Sequence, residues 1–316
     1  MNPIKIGVIG AGVLGGYHLN KCVNNPSVDC IGFYDSSQQR AEEVEKSCGL
    51  KAFDSIDSLI DSADAVIIAV PCSAHLETGL AALRAGKHVL LEKPLADSYD
   101  NGEKLVEAAE RQNCILHVGH SEIFNPAFER LVAFSPAPRF MEIHRLAEFS
   151  PRGTDVSVIL DLMVHDLHLV YRLCKEEPDY GAIAATGVPV ISPDIDIANV
   201  RLSFPSGLVV NCTASRVSIK RMRKLRLFQK NTYFSVDLDT RKFERCYLDP
   251  AYSADQLPVV CDTEKPAAGD ALEKELDAFV NAINGEENGN RGGTTGNEAL
   301  IVLKITDAIM KKIQIS

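Results

Sequence analysis

Short apolar runs and helical spacings alternate through the first third of the chain. Apolar runs at 4–9, 30–34, 65–70, 88–91 and 115–118 read as strands, and the stretches 13–23, 38–46, 73–85 and 98–112 place apolar residues at helical intervals. Strands that alternate with helices predict a parallel sheet. Each return to the same strand direction needs a crossover, and such crossovers are right-handed.

After Gly119 the rhythm changes. A helical stretch at 126–134 leads into a strand at 140–146, and a long amphipathic helix covers 156–174. Strand-like runs follow at 180–190, 198–204, 208–213, 224–229, 233–238 and 242–247, with Pro205-Ser206-Gly207 forming a tight hairpin between two of them. This half reads as an open, mainly antiparallel sheet with helices on one face. The polar, proline-bearing stretch 255–269 reads as a loop. Two closing helices follow at 271–283 and 297–313, and the segment 284–296 between them, with its Gly, Asn and Thr residues, reads as mobile. The chain thus divides into an α/β domain over 1–120 and an α+β domain over 121–316, with the C-terminal helix free to pack back on the first domain.

Composition narrows the classes of function. At 316 residues both domains are large enough for a core of their own. A hydrophobic content of 46% with 24% charged residues is that of an ordinary globular protein, and a net charge of -10 argues against a nucleic-acid binder. Nine cysteines are scattered from Cys22 to Cys261 with no C-x-x-C pair and no zinc-like spacing, which predicts reduced thiols and no metal. Strand-like sequence begins at Ile4 and the longest apolar run, 65–71, is far too short to span a bilayer, so the expected location is cytoplasmic.

Candidate chemistry starts at the first strand. Gly10, Gly12 and Gly15 stand in G-x-G-x-x-G register where that strand gives way to a helix opened by Val13 and Leu14. The three glycines serve a tight turn, close approach of a pyrophosphate, and close helix–strand packing, and the helix N-terminus faces the phosphates. Asp35 closes the second strand at the position where a carboxylate accepts hydrogen bonds from the adenosine ribose and repels a 2′-phosphate. NAD is therefore favoured over NADP, with Arg40 on the next helix weakening the preference. At the exit of the third strand Val70 and Ser73 face the same region, Ser73 reading as a helix cap, and His75 reads either as a cofactor contact or as a first-turn surface histidine.

The tripeptide Glu92-Lys93-Pro94 leaves the fourth strand, at the edge where open α/β sheets bind ligands. Lys93 there is a candidate proton-transfer group, and a solvated loop lysine is the bland alternative. His120 sits just past the fifth strand, on the nicotinamide side. In the second domain Asp161 and His165 are four apart on one helix face with His168 three further on, which suits either a carboxylate-oriented proton-transfer histidine or a structural pair. Asn125 reads as a sugar contact or a helix cap, and Arg152, Arg216, Lys220, Arg221 and Arg223 as cations for a pyrophosphate or as a solvated strand edge.

Together, GVIGAGVLGGYH, DAVIIAVPCSAH, GKHVLLEKPLA and the Asp161-to-His165 helix make the whole chain resemble the Gfo/Idh/MocA oxidoreductases. The stretches VGHSEIFNPA, HRLAEFSPRGTDVSVILDLMVHDLHLV and TASRVSIKRMRKLRLFQ look like the branch that oxidises the 3-hydroxyl of UDP-N-acetylglucosamine. The resemblance implies a Rossmann domain carrying NAD and an open-sheet domain for substrate and oligomerisation. It makes Lys93 and His165 the acid–base pair with Asp161 beside them, and Glu92 and Pro94 the shapers of a turn with a cis peptide before Pro94. Gly153-Thr154-Asp155 departs from the family's frequent glycines and bears on substrate choice. The implied product is a keto sugar for an aminotransferase that uses pyridoxal phosphate, in the making of 3-amino-sugar lipid A, by a homodimer or homotetramer. A dehydrogenase of another polyol or UDP-hexuronate, or a non-catalytic NAD-binding regulator, are the alternatives.

Overall fold

The computed structural model describes residues 3–149, 157–249, 258–286 and 292–313. The chain forms two compact units, one of Met1–Ser121 with Asp270–Leu303, the other of Glu122–Gly269 with Lys304–Ser316. Residues 270–303 thus lie with the first unit and 304–316 with the second.

The first unit contains β1 (Ile4–Ile9), α1 (Val13–Asn24), β2 (Val28–Tyr34), α2 (Gln38–Cys48), α3 (Ile56–Ser62), β3 (Ala65–Ile68), α4 (His75–Arg84), β4 (His88–Glu92), α5 (Tyr99–Arg111) and β5 (Leu116–Gly119). Strands β1 to β5 pair in parallel in the order β5-β4-β3-β1-β2. Strand order reverses at β1, so the crevice beyond its carboxyl end is the ligand position of such sheets. Helix α3 is a short element the apolar pattern does not reveal. It exists because Ser55 and Ser58 close a reciprocal capping box around its first turn.

The second unit contains α6 (Pro126–Val132), β6 (Phe140–Leu146), a π-helical turn (Ile159–Met163) running into α7 (Val164–Cys174), and then β7 (Ala184–Val188), β8 (Ile197–Ser203), β9 (Val209–Ser215), β10 (Met222–Gln229), β11 (Thr232–Asp237), β12 (Lys242–Leu248) and β13 (Val259–Glu264). The eight strands run β13-β12-β11-β10-β6-β9-β8-β7, antiparallel except for the β6–β9 pair. The turn at Pro205-Ser206-Gly207 joins β8 to β9 as expected, with Gly207 at φ 83 and its amide donating to the Phe204 carbonyl. Arg216 and Asp196 form an interior ion pair. Arg216 Nε donates to Asp196 at 2.8 Å, and the same carboxylate accepts from the amides of Val190, Ile191 and Ser192.

Strand β13 replaces the expected loop at 255–269, of which 255–257 lie outside the described residues. Its pairing with β12 sets Cys246 directly opposite Cys261, and the two form a disulfide across a Cα separation of 4.1 Å. The expectation of reduced thiols throughout is thus corrected: spacing along the chain says nothing about which residues a strand register brings face to face. Reducing this bond is expected to lower stability by up to about 3 kcal/mol, the chain-entropy value for a loop of some fifteen residues. Urea midpoints with and without a phosphine reductant measure the shift.

The closing segment returns to the first unit. Helix α8 (Ala271–Ile283) places Leu276, Phe279 and Val280 in one buried cluster with Ile6, Val8, Leu19 and Phe33. The two-residue strand β14 (Thr294–Thr295) adds antiparallel to β5, where the sequence reads as mobile, and α9 (Gly296–Lys312) ends the fold. Residues 287–291 lie outside the described residues. Among those described, no helix is long and apolar enough to cross a membrane.

Candidate active site

The glycine turn is built for close approach. Gly10 holds φ at +90°, and a Cβ there would stand 2.7 Å from the Ala69 carbonyl oxygen. Gly15 allows α1 onto the turn, since a Cβ at that position would lie 1.8 Å from the Gly10 oxygen. A Cβ on Gly12 meets no atom within 4 Å. Gly12 is the N-cap of α1, with no side chain capping it and no acid in the first turn, so the first amides of the helix and its positive dipole end face open space. Val13, Leu14 and Tyr17 line this end and are about half exposed, at 46%, 46% and 55%.

Asp35 ties the second strand to the turn. Its Oδ2 accepts from the Ala11 amide at 2.7 Å and its Oδ1 from the Ser37 amide at 2.9 Å. Arg40 reaches back from α2, donating from Nε to the Ala11 carbonyl at 2.8 Å. Both the carboxylate that favours NAD and the cation that would favour a 2′-phosphate are therefore fixed on the backbone of the same residue, Ala11. Uncapped amides, open space at Gly12 and a half-buried carboxylate suit a dinucleotide pyrophosphate and ribose.

The other strand exits supply the chemistry. Lys93 and Pro94 are joined by the expected cis peptide. His75 is no surface histidine, with 1% exposure. Its Nδ1 lies 2.8 Å from the Pro94 carbonyl and its Nε2 3.0 Å from that of Val70. The ring thus ties the Lys93–Pro94 turn to the end of β3. Burial pushes its pKa down against the pull of the two carbonyls, and a neutral ring donates to one of them at a time. Ser73 does not cap α4. It lies exposed in a one-turn 3-10 helix (Cys72–Ala74), and Ala74 takes the N-cap position without a side-chain bond.

His120 is interior, at 2% exposure. Burial and the adjacent Lys93 ammonium push its pKa down to about 3, so it stays neutral at working pH beside a cation. Glu92 shapes the turn as the resemblance implies. Its Oε2 accepts from the Lys93 amide at 3.2 Å, its Oε1 meets His18 Nε2 at 2.8 Å, and a Cβ on Gly119 would come within 3.0 Å of Oε2.

In the second unit Asp161 and His165 are both half-exposed, Asp161 inside the π-helical turn and His165 in the first turn of α7. Such turns recur at functional sites because they offset side chains from the regular helical phase. His168, placed by the spacing on the same face as Asp161 and His165, is buried at 1% exposure. Asp166 turns inward and is held by Arg145, whose Nε and Nη2 donate at 3.0 and 2.8 Å. Glu122 joins this network from the segment before α6, accepting from Arg145 at 3.1 Å and Arg223 at 2.9 Å.

Those bonds settle several candidates. Asn125 is the N-cap of α6, its Oδ1 accepting from the Ala127 amide and its Nδ2 donating to the Leu238 carbonyl, which accounts for the amide without a ligand. Arg216 is buried on Asp196, and Arg221 and Arg223 are paired with Asp239 and Glu122. Lys220 remains exposed. Arg152 and Gly153-Thr154-Asp155 lie outside the described residues. Sequence reasoning missed His18 and Glu275, although each occupies an apolar helical stripe, Gly15-His18-Leu19-Cys22 and Leu272-Glu275-Leu276-Phe279, where a polar residue marks a buried interaction.

A parallel sheet with a glycine turn at its switch point, an acidic residue ending β2 and a lysine leaving β4 define a dinucleotide-dependent dehydrogenase. Residues 4–120 match the model of the GFO_IDH_MocA oxidoreductase family, NAD-binding Rossmann fold. Over 285 residues, 90% of each chain, the protein is 35% identical to the UDP-N-acetylglucosamine 3-dehydrogenase of Acidithiobacillus ferrooxidans. A solved structure of that dehydrogenase matches with a TM-score of 0.91 and 32% identity, covering 99% of this chain and 98% of the other. An inositol 2-dehydrogenase of Rubrobacter xylanophilus is 34% identical over 184 residues, 55% of this chain and 53% of that protein. The chain belongs to the Gfo/Idh/MocA family and is an NAD(P)-dependent oxidoreductase acting on CH–OH groups.

Proposed function

We propose that this protein oxidises the 3-hydroxyl of UDP-N-acetylglucosamine to a ketone, with NAD as its cofactor. The observation that carries the reading is the reach of the similarity. The family match ends at residue 120, whereas 35% identity to the UDP-N-acetylglucosamine 3-dehydrogenase continues over 90% of both chains and so takes in the half in which such enzymes hold their substrate. The inositol dehydrogenase likeness covers little more than half of either chain. Testing UDP-N-acetylglucosamine, myo-inositol and UDP-glucuronate side by side for NADH formation checks it. UDP-N-acetylglucosamine should give the highest kcat/KM, and an inositol preference would reverse the assignment.

NAD, when bound, supplies the hydride acceptor, and the Gly10–Gly15 turn, Val13, Leu14 and Asp35 hold it. Lys93, after its ammonium has released a proton to solvent, takes the proton of the sugar hydroxyl as a free amine, and the positive charge it thereby regains stabilises the developing alkoxide. Asp161 and His165 serve the sugar and its proton from the second unit. Arg152 and Lys220 are the cations proposed for the pyrophosphate. A 3-keto sugar nucleotide is a fit acceptor for an aminotransferase using pyridoxal phosphate, consistent with a cytoplasmic homo-oligomer in a route to 3-amino-sugar lipid A.

Asp35 supports NAD over NADP through its charge. Asp35→Ser removes that charge and leaves Arg40 to meet a 2′-phosphate, so the ratio of kcat/KM for NAD over NADP should fall by about tenfold or more. Steady-state kinetics with both cofactors measure it, and an unchanged ratio would assign the selectivity elsewhere.

A further inference from the structure

Beneath the Lys93 turn lie three polar side chains, His18 from α1, Glu92 from β4 and Glu275 from α8, each offering one atom within 4.8 Å of the others. All are interior: 1%, 8% and 2% exposed. Glu92 is well satisfied, its Oε1 against His18 Nε2 and its Oε2 against the Lys93 amide. Glu275 is the larger anomaly: His18 leaves only Nδ1 without a partner, whereas both Glu275 oxygens are buried with no hydrogen-bond partner among the described residues.

Two carboxylates this close in an apolar interior repel each other and lack solvation. A proton or a cation would relieve them. A cation would need the oxygens on which Glu92 already accepts two hydrogen bonds. A proton on Glu275 displaces neither bond, needing only a spare lone pair on one of those oxygens. We propose that Glu275 is held as a neutral carboxylic acid whose proton faces the Glu92 carboxylate, forming a buried acid–carboxylate pair that positions the Lys93 turn.

Burial, followed by the Glu92 charge, pushes the Glu275 carboxyl well above the ordinary range, in keeping with that geometry. The other titratable and charged groups on the packed elements include Tyr17, His18, Lys21 and Cys22 on α1, His88 on β4, Lys93 after it and His117 on β5. Of these Lys21 is paired with Asp270, and His117 packs on Phe279. Within α8 itself Asp277 accepts from Asn25.

The folded chain then binds one proton more than the unfolded chain once pH exceeds the unfolded glutamate value. Stability from Glu275 is complete below that value and is lost as pH rises towards the folded pKa. Glu275→Gln keeps a donor facing Glu92 but cannot ionise. In urea titrations of the full chain from pH 5 upwards, the unfolding equilibrium constant of the wild type should rise relative to Glu275→Gln by about tenfold per pH unit until the folded pKa is reached, and level off above it. Parallel curves would overturn the proposal. So would stoichiometric zinc or manganese in the purified protein that Glu275→Gln loses, since that would make the cluster a cation site. The positioning role rests on the function proposed above, and its readout is separate: Glu275→Leu should lower kcat at unchanged KM, and Glu275→Gln should restore it. Equal loss in both variants would remove the link to Lys93. The pH linkage needs no substrate, so it stands or falls independently of the assigned reaction.

Discussion

Lys93→Met is expected to lower kcat by about 10²- to 10⁴-fold, the range that a positioned acid–base group contributes, while NADH binding changes only a few-fold. Methionine keeps the length and apolar stem of lysine but neither donates nor carries charge. The expected split follows from the arrangement of the turn. What fixes the turn is Glu92 accepting the Lys93 amide and His75 reaching the Pro94 carbonyl, and neither bond involves the ammonium. The variant should therefore fold and hold cofactor. Removing the ammonium also removes the charge that depresses the His120 pKa, so His120 should titrate at a higher pH in the variant, although burial still holds it low. Steady-state kinetics with NADH fluorescence titration decide the matter, and near-normal kcat would exclude Lys93 from proton transfer.

The second large effect separates two glycines of one motif. Gly15→Ala places a methyl 1.8 Å from the Gly10 carbonyl oxygen, a backbone atom that yields only if α1 moves off the turn. Both stability and cofactor affinity should fall, stability by about 1–3 kcal/mol as in other overpacked sites. Gly12→Ala meets no protein atom within 4 Å, so its stability should stay within about 0.5 kcal/mol of the wild type. The new methyl instead enters the space in front of the uncapped α1 amides, and NAD affinity should weaken by about tenfold or more. Thermal melts paired with NAD titrations test the contrast. Equal destabilisation of the two variants would mean that Gly12 serves the turn and not a ligand.

Local signals made much of this legible in the sequence. Strands β1 and β6 and helix α8 have the bounds that their apolar patterns predict, because each is a strong periodic run with clear ends. The glycine turn, Asp35 and Lys93 were legible for the same reason: each role is set by a few neighbouring residues at a strand exit. What escaped depends on partners distant in sequence. Strand β13 is half solvent-facing along its length, so a short edge strand reads as a polar loop, and the Cys246–Cys261 bond exists only through its register with β12. Strand β14 is two residues long and owes its existence to β5. His168 and Asp161 part company in burial although helical spacing puts them together, and a π-helical turn intervenes. Asn125 takes the capping alternative of its two readings, while Arg216, read as a pyrophosphate cation or a solvated edge, does neither because its carboxylate partner Asp196 is not visible from the sequence. Glu275 is the reverse case, a charge within an apolar stripe that signals a buried role before the fold is seen.

If hydride leaves carbon 3 of a nucleotide sugar, a label on that carbon passes to the reduced cofactor. The most direct measurement is incubation with NAD and UDP-N-acetylglucosamine deuterated at carbon 3, followed by mass analysis of the reduced cofactor and the sugar. Deuterium is expected in NADH, with a sugar nucleotide lighter by the label and one proton. NADH without deuterium, or a labelled sugar recovered unchanged while another polyol is oxidised, would contradict it.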